Sequence, residues 1–593
     1  MLFRNCIKLE NYDTNTFKKI RIAMATQKNK KSKFTFWRKH FSAIGWWEIA
    51  VLALSVIGIA VGVIAFISDG KSSFLDAFYN TFRLFLLNPH EPKLSGLQLI
   101  AQWLIFGAFF LVTFKVFVTI IIPKLLNYYR TWKSRNHTII CGLNAVSIEL
   151  IKKNAHSKIV VIASENNEYT ESLNQRNIKL IVGDAADESV LKLSNIKSAN
   201  KIYILTENDK KNVDIAQTAF SICKEDRKMV NPLKCYTLIN DTILKVILED
   251  VALFKYTVEE NARFCFDAIL FNINEAGIKY GINTNIDKIW AKTKDEAPNI
   301  LIVGLTEKTK NVILNLAHCM TMNKKHIHFY VRERDKDVIG KFLRNNGYLN
   351  DFANITFVDN NDETKDIAFS SIFVCMDNHL ESIKWAVRIR NLLGNNDTNV
   401  ITFYDGFDNL NEILNKQGKG VLSFNERNII LINTFEETVK YVLELDEKGD
   451  IEIWAEKAHD MWRKKDNNGN FVKNDSYQRT AEHFKQSNRN QVFDFYLKTY
   501  IALGETFDSV RGKYAGWFSE DDKKTLAIIE HRRWMLEKYA DGWKFGETRD
   551  NDFKIHPDLQ AWEHLSDNTK EKDYKAVNLM IEKLCKHNTP LNQ

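Results

Sequence analysis

The chain has 593 residues, of which 45% are apolar and 26% are charged, with only 7 prolines and 24 glycines. This composition excludes a disordered chain, a fibrous repeat and a disulfide-stabilised miniprotein, and the length predicts about four domains. The 82 basic and 74 acidic residues give a net charge of +8. Eleven basic residues lie between Arg4 and Lys39, beside two acidic ones. The excess therefore indicates a basic N-terminal arm over residues 1–42, and no nucleic-acid partner is expected.

Two apolar segments near the N-terminus are long enough to cross a membrane. Trp47–Ile67 carries one charge, Glu48, at its edge, and as a helix it would extend about 31 Å. Leu97–Ile122 contains Lys115, but its many Leu, Ile, Val and Phe residues outweigh the cost of about 3 kcal/mol for a lysine at mid-membrane. We therefore predict a two-helix transmembrane domain over residues 43–136.

The flanking charges predict the orientation of these segments. The basic arm precedes the first, and Lys124, Arg130, Lys133 and Arg135 follow the second, whereas the connecting loop has few basic residues. Both termini are therefore expected in the cytoplasm, in a multi-pass protein of the plasma (bacterial inner) membrane. The eight cysteines are scattered without ligand spacing, which predicts reduced thiols and no metal site.

The segment Phe74–Asn88 is too apolar for an ordinary loop and too short to span a membrane. Its phenylalanines recur at helical spacing and Asp76 lies in the first turn, so we predict a re-entrant helix. At membrane depth such a helix must be buried in protein or line a water-filled cavity, and a pore provides one.

Span, short helix and span also form the order of two-span cation channels, and FLDAFYNTF resembles the start of their pore helix. The following LLNPHEP lacks a Thr-Val-Gly-Tyr-Gly ladder, so potassium selectivity is not expected. Either Arg83 and Lys115 line an anion-tolerant path, or Lys115 snorkels to an interface or pairs with a neighbouring helix. The hairpin as a whole is either a pore or a plain anchor. The candidate pore residues are Asp76, Arg83, Asn88 and Lys115.

After the second span, short β-branched runs alternate with helical stretches, which indicates parallel α/β layers. The order recurs: aligning Gly142 with Gly304 gives an offset of 162, and aligning IYILTENDKKNVDIA with IFVCMDNHLESIKWA gives 170. We therefore predict a tandem duplication, with copies at 137–297 and 298–445. The predicted strands are 138–141, 158–162, 179–182 and 201–205 in the first copy, and 299–303, 326–331, 355–358 and 371–375 in the second.

The first copy resembles the regulator-of-potassium-conductance (RCK), or TrkA-N, domain, most specifically at VGDAADESVLKLSNIKSANKIYILTENDKKNVDIA, from Val182 to Ala216. The resemblance implies a Rossmann-like fold that holds NAD or another adenine nucleotide at a GxGxxG turn and at a carboxylate after the second strand. The matching candidate residues are Gly142, Asn144, Glu165 and Asp184.

The turn itself departs from the family pattern, because Gly142-Leu143-Asn144-Ala145-Val146-Ser147 keeps only the first glycine. The second glycine normally lets the backbone approach a pyrophosphate, and the third lets the helix pack closely on the strand. Two interpretations therefore stay open, a regulatory nucleotide site and a purely structural Rossmann layer. The second copy, with only Gly304 left of its pattern, is predicted to serve pairing and transmission.

From about Asp446 the chain becomes helical and rich in tryptophan, which predicts a further module over residues 446–593. Ile528–Leu584 resembles the ryanodine-receptor (RyR) repeat in its EHRRW start, GWxxG turn, Arg-Asp pair, His-Pro-x-Leu and Lys-x-x-Asp. Trp454–Gly504 matches less well, best at SNRNQ, so we predict a tandem pair of repeats.

Aromatic rings beside arginines in this module suit a charged planar ligand, because tryptophans can stack a purine and guanidinium groups can bind phosphates. The alternative is that these side chains stabilise the module itself, for example by pairing Glu530 with Arg549 or His556 with Asp550. The candidate ligand residues are Glu530, His531, Arg532, Arg533, Trp534, Trp543, Arg549, Asp550, His556, Asn488 and Arg489.

These features together predict a ligand-gated membrane pore that is opened by a nucleotide-type messenger. Two spans cannot enclose a channel alone, so a homo-oligomer, a tetramer, is expected. The resemblance to bacterial RyR-repeat proteins implies a role in antiviral defence. The alternatives are a non-conducting, membrane-tethered nucleotide sensor, a regulatory subunit of a potassium transporter and, third, a nucleotide hydrolase. The α/β cores offer no acid–base cluster for hydride transfer, so no enzyme is expected.

Overall fold

The computed structural model describes most of the chain from residue 46 to residue 586. Contacts divide it into two compact units, Phe3–Arg130 and Thr131–Gln593. The predicted basic arm and the candidate pore residue Asn88 lie outside the described residues. Those residues are 46–68, 73–85, 94–118, 134–154, 157–165, 169–170, 173, 178–226, 232–249, 265–290, 298–320, 325–359, 362–364, 366–394, 397–406, 428–445, 449–461, 463, 476–480, 482–504 and 517–586.

The described residues of the first unit form three helices, α1 (Trp46–Ser68), α2 (Phe74–Phe85) and α3 (Gly96–Val116). By length and composition, α1 and α3 are able to cross a membrane. The cap of α3 is reciprocal, since Ser95 accepts from the Gln98 N–H and the Gln98 side chain accepts from the Ser95 N–H. All three predicted helices are therefore present, and their insertion into a bilayer stays a prediction.

The short helix α2 packs against both long helices through small side chains. Ala77 and Thr81 are buried, and a Cβ added at Gly62 of α1 would lie 2.5 Å from the Thr81 methyl group. Gly58 similarly faces Ile105 of α3, where an added Cβ would lie 3.0 Å from the Ile105 side chain. The opposite face of α2 is exposed and aromatic, with Phe74, Phe78, Tyr79 and Phe82.

The first α/β domain is a parallel six-stranded sheet in the order β3-β2-β1-β4-β5-β6. Its central strands β1, β2 and β4 are largely apolar runs buried on both faces, as expected where helices cover each side of a sheet, whereas the edge strand β3 is partly exposed. The elements are β1 (Thr138–Cys141), α4 (Ala145–Lys153), β2 (Ile159–Ala163), β3 (Lys179–Val182), α5 (Glu188–Leu193), β4 (Lys201–Ile204), α6 (Asp209–Asp226), β5 (Leu233–Leu238), α7 (Thr242–Glu249), β6 (Phe266–Phe271), α8 (Ile273–Thr284) and α9 (Ile286–Ile289).

The second α/β domain repeats this topology, with the strand order β12-β11-β10-β7-β8-β9. Numbered within each domain, both sheets have the order 3-2-1-4-5-6 of a Rossmann fold. The predicted duplication is thus confirmed at the level of topology. The elements are β7 (Asn299–Val303), α10 (Glu307–Leu316), β8 (His328–Arg332), α11 (Lys336–Asn346), β9 (Asn354–Val358), β10 (Ser371–Val374), α12 (His379–Leu393), β11 (Asn399–Tyr404), β12 (Ile429–Asn433) and α13 (Thr434–Glu444).

The two α/β domains exchange their last helices. Ile278 and Ile282 of α8, which follows the first sheet, lie in the core of the second sheet. Val439 and Val442 of α13, which follows the second sheet, lie in the core of the first. The helices touch closely, because a Cβ added at Gly277 would lie 2.4 Å from a backbone oxygen of α13. Each domain therefore completes the core of the other.

The C-terminal region is mainly helical, as predicted. Its core joins the second sheet, since Leu497, Met535 and Leu559 belong to the same buried cluster as Ile302 and Phe329. Two strands of two residues each, β13 and β14, pair with each other and close a loop after α16. The elements are α14 (Asp450–Asp460), α15 (Glu482–Leu503), α16 (Glu520–Ala540), β13 (Lys544–Phe545), β14 (Ile555–His556) and α17 (Asp567–Lys586).

Candidate ligand-binding sites

A crevice of about 290 Å³ opens beyond the carboxyl ends of β1, β2 and β4, where the strand order of the first sheet reverses. This is the position at which open α/β sheets bind ligands. Three predicted residues, Gly142, Asn144 and Glu165, line it. The crevice is also lined by polar residues that the sequence did not single out, Ser164, Thr206, Glu207, Asn208 and Lys211.

The first glycine of the turn is required by geometry in both copies. Gly142 has φ +98°, and an added Cβ would lie 3.0 Å from the backbone of Leu205 at the end of β4. Gly304 has φ +96°, and an added Cβ would lie 2.7 Å from the carbonyl oxygen of Cys375 after β10. A side chain at either position would be strained and would push the neighbouring strand away.

The positions of the two missing glycines are occupied by a reciprocal helix cap. Asn144 Oδ1 accepts from the Ser147 N–H at 3.1 Å, and Ser147 Oγ accepts from the Asn144 N–H at 2.8 Å. Asn144 Nδ2 also donates to the Leu205 carbonyl at 2.5 Å. In the second copy, Thr306 and Thr309 form the equivalent box. The glycine pattern has therefore been replaced by capping residues at the same two positions in each copy.

This cap has a direct consequence for phosphate binding. The free N–H groups of a helix N-terminus are what binds an anion there, together with the helix dipole. Because the Asn144 side chain already accepts from the Ser147 N–H, a phosphate at α4 would compete with it for this donor. The crevice is open to a ligand, but the N-terminus of α4 offers fewer free N–H donors to an anion than a helix that follows a glycine-rich turn.

The two predicted acids of the crevice differ in environment. Glu165 is exposed just beyond β2, where its carboxylate can accept hydrogen bonds from ribose hydroxyls. Asp184 accepts from the Ala186 N–H at 3.0 Å and pairs with Lys211 at 3.1 Å. The Ala186 N–H and then Lys211 hold the pKa of Asp184 below its usual value. Asp184 thus fixes the position of a lysine at the crevice edge.

In the C-terminal region, Glu530 and Arg533 belong to a buried ion-pair network. Arg533 donates to Glu530 at 2.9 Å and to Glu537 at 2.6 Å, and Lys498 of α15 pairs with Glu530. Burial alone would raise the pKa of Glu530, but Arg533 and Lys498 outweigh it and lower the pKa to about 2. The suggested internal pair of Glu530 with Arg549 is therefore wrong, because Glu530 is paired within the helices.

Arg532 and His531 hold neighbouring segments in place. The Arg532 guanidinium donates to the carbonyls of Ala317 and His318 at 3.2 and 3.1 Å, and also to the carbonyl of Phe352 at 2.5 Å. These carbonyls follow α10 and the turn after α11, so Arg532 links the C-terminal region to the second α/β domain. His531 Nε2 lies 3.0 Å from the Gln560 carbonyl oxygen.

Arg489 is wholly buried between two carboxylates. It donates to both oxygens of Glu452, at 2.7 and 3.1 Å, and pairs with Glu482. Burial nevertheless raises the pKa of Glu482 to about 7. Asn488, the candidate ligand residue next to Arg489, is half-buried on α15. The structure therefore places Arg489 in an internal network of α14 and α15.

Trp534 of α16 and the loop residues Trp543 and His556 form a partly exposed aromatic cluster. The His556 ring lies 5.0 Å from Trp534 and 6.1 Å from Trp543, measured between centroids. Burial, with Arg549 nearby, lowers the pKa of His556 to about 4, so its ring is neutral at pH 7. Lys538 lies 5.1 Å from the Trp543 ring, a cation–π contact. This cluster keeps the aromatic part of the predicted ligand site together.

The two other predicted loop residues lie on the exposed loop that β13 and β14 close. Arg549 donates to Asn551 at 3.0 Å. Asp550 accepts from the Asp552 and Phe553 N–H groups at 2.9 and 3.1 Å, which shapes the loop. The suggested pair of His556 with Asp550 is wrong, because His556 Nδ1 instead accepts from the backbone N–H two residues later, at 3.1 Å.

The described pore candidates lie at helix ends. Asp76, in the first turn of α2, accepts from the Ser73 hydroxyl at 2.7 Å. Arg83 lies in the last turn of the same helix, and Lys115 lies in the last turn of α3. Each charge has the sign that its helix end favours.

Comparison with protein families defines two domains of the chain. Residues 138–244 match the TrkA-N domain, and residues 519–593 match the RyR domain. The chain thus combines a TrkA-N domain, a second Rossmann-like domain and a RyR domain. The partner repeat proposed at Trp454–Gly504 stays a prediction. No curated protein sequence matches the chain.

Comparison with solved structures finds the GsuK channel. The GsuK channel bound to NAD is 13% identical over 67% of this chain and 81% of that chain, with a TM-score of 0.36. GsuK bound to ADP is 15% identical over 67% and 95%, with a TM-score of 0.34. At TM-scores this low, the likeness supports no inference about the ligand or assembly of this chain.

Proposed function

We propose that the chain is a subunit of a homo-oligomeric, tetrameric membrane pore whose opening is controlled by an adenine-nucleotide-type messenger bound to its TrkA-N and RyR domains. The observation that most directly supports a pore is the packing of α2. At 12 residues this helix is too short to cross a bilayer, yet it packs against both spanning-length helices. A short helix held between two spans is the arrangement that a re-entrant pore helix requires.

The surface of the three-helix unit supports placement in lipid. Large apolar side chains are exposed on every helix, for example Leu52 at 68%, Leu75 at 76% and Trp103 at 65%. Soluble monomers rarely expose a contiguous apolar surface of this extent. Lipid and neighbouring subunits are the environments that would cover it.

Messenger binding is supported by the crevice of the TrkA-N domain and by the aromatic cluster of the RyR domain. The exposed carboxylate of Glu165 suits a ribose, and Lys211 suits a phosphate. Trp543 with Arg549 provides a stacking ring and a guanidinium on one loop. Trp543→Ala and Arg549→Ala are therefore expected to weaken messenger binding in calorimetry, and unchanged affinity would move the site elsewhere.

Ion flux from lipid vesicles containing the purified full chain tests the proposal, with ADP and NAD as probes. We expect nucleotide-dependent flux, and we expect Arg83→Glu to change its rate or ion preference. Arg83→Lys, which keeps the charge, is the matched control.

One result would contradict the conducting function, and two others would change the rest of the proposal. Nucleotide binding without flux in the unaltered protein would favour the non-conducting sensor or transporter subunit. Flux that neither probe alters would leave a pore without this kind of gating. Turnover of the nucleotide during the assay would favour an enzyme instead.

A further inference from the structure

A second cavity, of about 780 Å³, lies where three parts of the second unit meet. Helices α7 and α8 of the first α/β domain, α10 of the second α/β domain, and α15 and α16 of the C-terminal region line it. Its volume lies within the range of small-molecule sites. An occupant would touch all three domains at once.

The lining of this cavity is acidic and its cations are already paired. It contains seven carboxylic acids but four Lys or Arg residues. Lys245 pairs with Glu275 at 2.7 Å, and Arg533 pairs with Glu537 at 2.6 Å. Lys279 and Lys310 likewise have carboxylates at 3.6 and 3.7 Å. An anionic ligand would therefore find no spare cation among these four and would face an excess of negative charge.

Asp541, directly after α16, is one of the acids of this lining. Among the described residues, its carboxylate has no ion-pair partner. Burial, followed by the nearby carboxylates of Glu537 and Glu249, raises the pKa of Asp541 to about 7. The same burial raises the pKa of Glu249. Acids that disfavour one another's charge in a cavity are stabilised by a cation placed among them.

A second, independent feature indicates a ligand that donates hydrogen bonds. His318 lines the cavity and is only 2% exposed, and its Nε2 has no hydrogen-bond partner. Buried polar atoms are normally satisfied, so this nitrogen is an exception that a ligand N–H would remove. Burial lowers the pKa of His318 to about 3, so the ring is neutral and one of its nitrogens can accept a hydrogen bond.

Two tyrosines add an aromatic wall to the cavity. Tyr348 and Tyr539 both line it, and their rings lie nearly parallel, 18° apart, with centroids separated by 6.3 Å. An ammonium group near the face of a tyrosine ring is stabilised by cation–π attraction. A bare metal ion fits less well, because no group of three metal-ligating side chains occurs in the part of the chain that the structure describes.

We propose that this cavity binds a small organic polycation of the polyamine class, with ammonium groups at Asp541 and Glu249 and an N–H directed at His318. Such a ligand links the first α/β domain, the second α/β domain and the C-terminal region through one molecule. The binding step does not depend on ion conduction, so its test is separate from that of the pore.

Titration calorimetry of the purified full chain with spermidine tests this proposal. We expect binding near one equivalent per chain, with Kd weakened about tenfold or more by Asp541→Asn, since a hydrogen bond to a charged group is lost. Glu249→Gln is a second variant with the same expectation. Glu520→Gln is the matched control, because its carboxylate is 84% exposed and outside the cavity.

Three outcomes would overturn the proposal. The first is the absence of spermidine binding to the unaltered chain. The second is equal affinity in Asp541→Asn and Glu520→Gln, which would mean binding to surface charge only. The third is ADP binding that Asp541→Asn alters while spermidine binding stays unchanged, which would assign the cavity to an anion. Asp541→Asn removes a buried carboxylate without changing side-chain volume, so a folded variant is expected, and thermal denaturation verifies it.

Discussion

Replacing Asn144 by glycine tests whether the helix cap limits nucleotide binding in the TrkA-N crevice. The change removes the acceptor that occupies the Ser147 N–H and restores the second glycine of the turn. The backbone of Asn144, at φ −144° and ψ −172°, is extended and suits glycine equally well. The N-terminus of α4 would then present a further donor to a phosphate.

The expected magnitudes can be worked from these contacts. Exchanging an N-cap asparagine for glycine costs a few tenths of a kcal/mol, and losing the hydrogen bond to Leu205 costs about 1 kcal/mol. The large second unit should tolerate that loss. A hydrogen bond from the freed N–H to a charged phosphate contributes about 1.5–3 kcal/mol, so ADP should bind about ten- to a hundredfold more tightly.

Calorimetry with ADP on the purified full chain measures the effect, and the duplication provides its control. Thr306→Gly breaks the equivalent cap in the second copy and should leave ADP affinity unchanged. If Asn144→Gly stays folded and binds ADP no more tightly than the unaltered chain, the cap is not the barrier. The Rossmann layer would then be better understood as structural.

Three further perturbations follow from the contacts described above. Arg532→Met leaves three buried carbonyl acceptors without their donor, and the loss of roughly 2–4 kcal/mol of unfolding free energy should appear in denaturant titration, with Arg532→Lys intermediate. The pKa of Asp541 is raised in the folded state, so its stabilising contribution is complete below its ordinary pKa and is lost as pH rises to about 7. Asp541→Asn should therefore reduce the fall in melting temperature between pH 5 and pH 8, and an unchanged fall would assign it to other groups. Gly62→Ala should disrupt the contact with Thr81 and reduce flux in vesicles, whereas Gly107→Ala, where an added Cβ meets nothing within 4 Å, should not.

Local sequence patterns were sufficient to predict the central strands and both glycine turns. β1, β3 and β7 have the predicted bounds, because each is a short run of mainly apolar residues, several of them β-branched. The strands β5, β6, β11 and β12 were not predicted. In the first sheet, β5 and β6 carry Lys234 and Asp267, and Asp267 is buried against Lys485 of α15 at 2.7 Å. Only tertiary structure provides that partner.

The candidate sites show the same division between local and distant information. The crevice was predicted because a turn and the strand ends around it are encoded within short segments. The role of Arg532 could not be predicted in this way, because the carbonyl groups that it contacts lie 180 to 215 positions away in the sequence. Arg489 and Glu452 are likewise 37 positions apart. Sequence identifies an arginine near tryptophans, but it does not say that the guanidinium is already bound.

The reciprocal helix exchange between the α/β domains determines how the chain can be divided. A cut between β6 and β7 placed after α9 would leave the first fragment without α13 and the second without α8. Each piece produced alone should therefore expose an uncovered sheet and aggregate. Produced together in one cell, the two pieces should recognise each other and reassemble without a covalent connection, as in split-protein complementation.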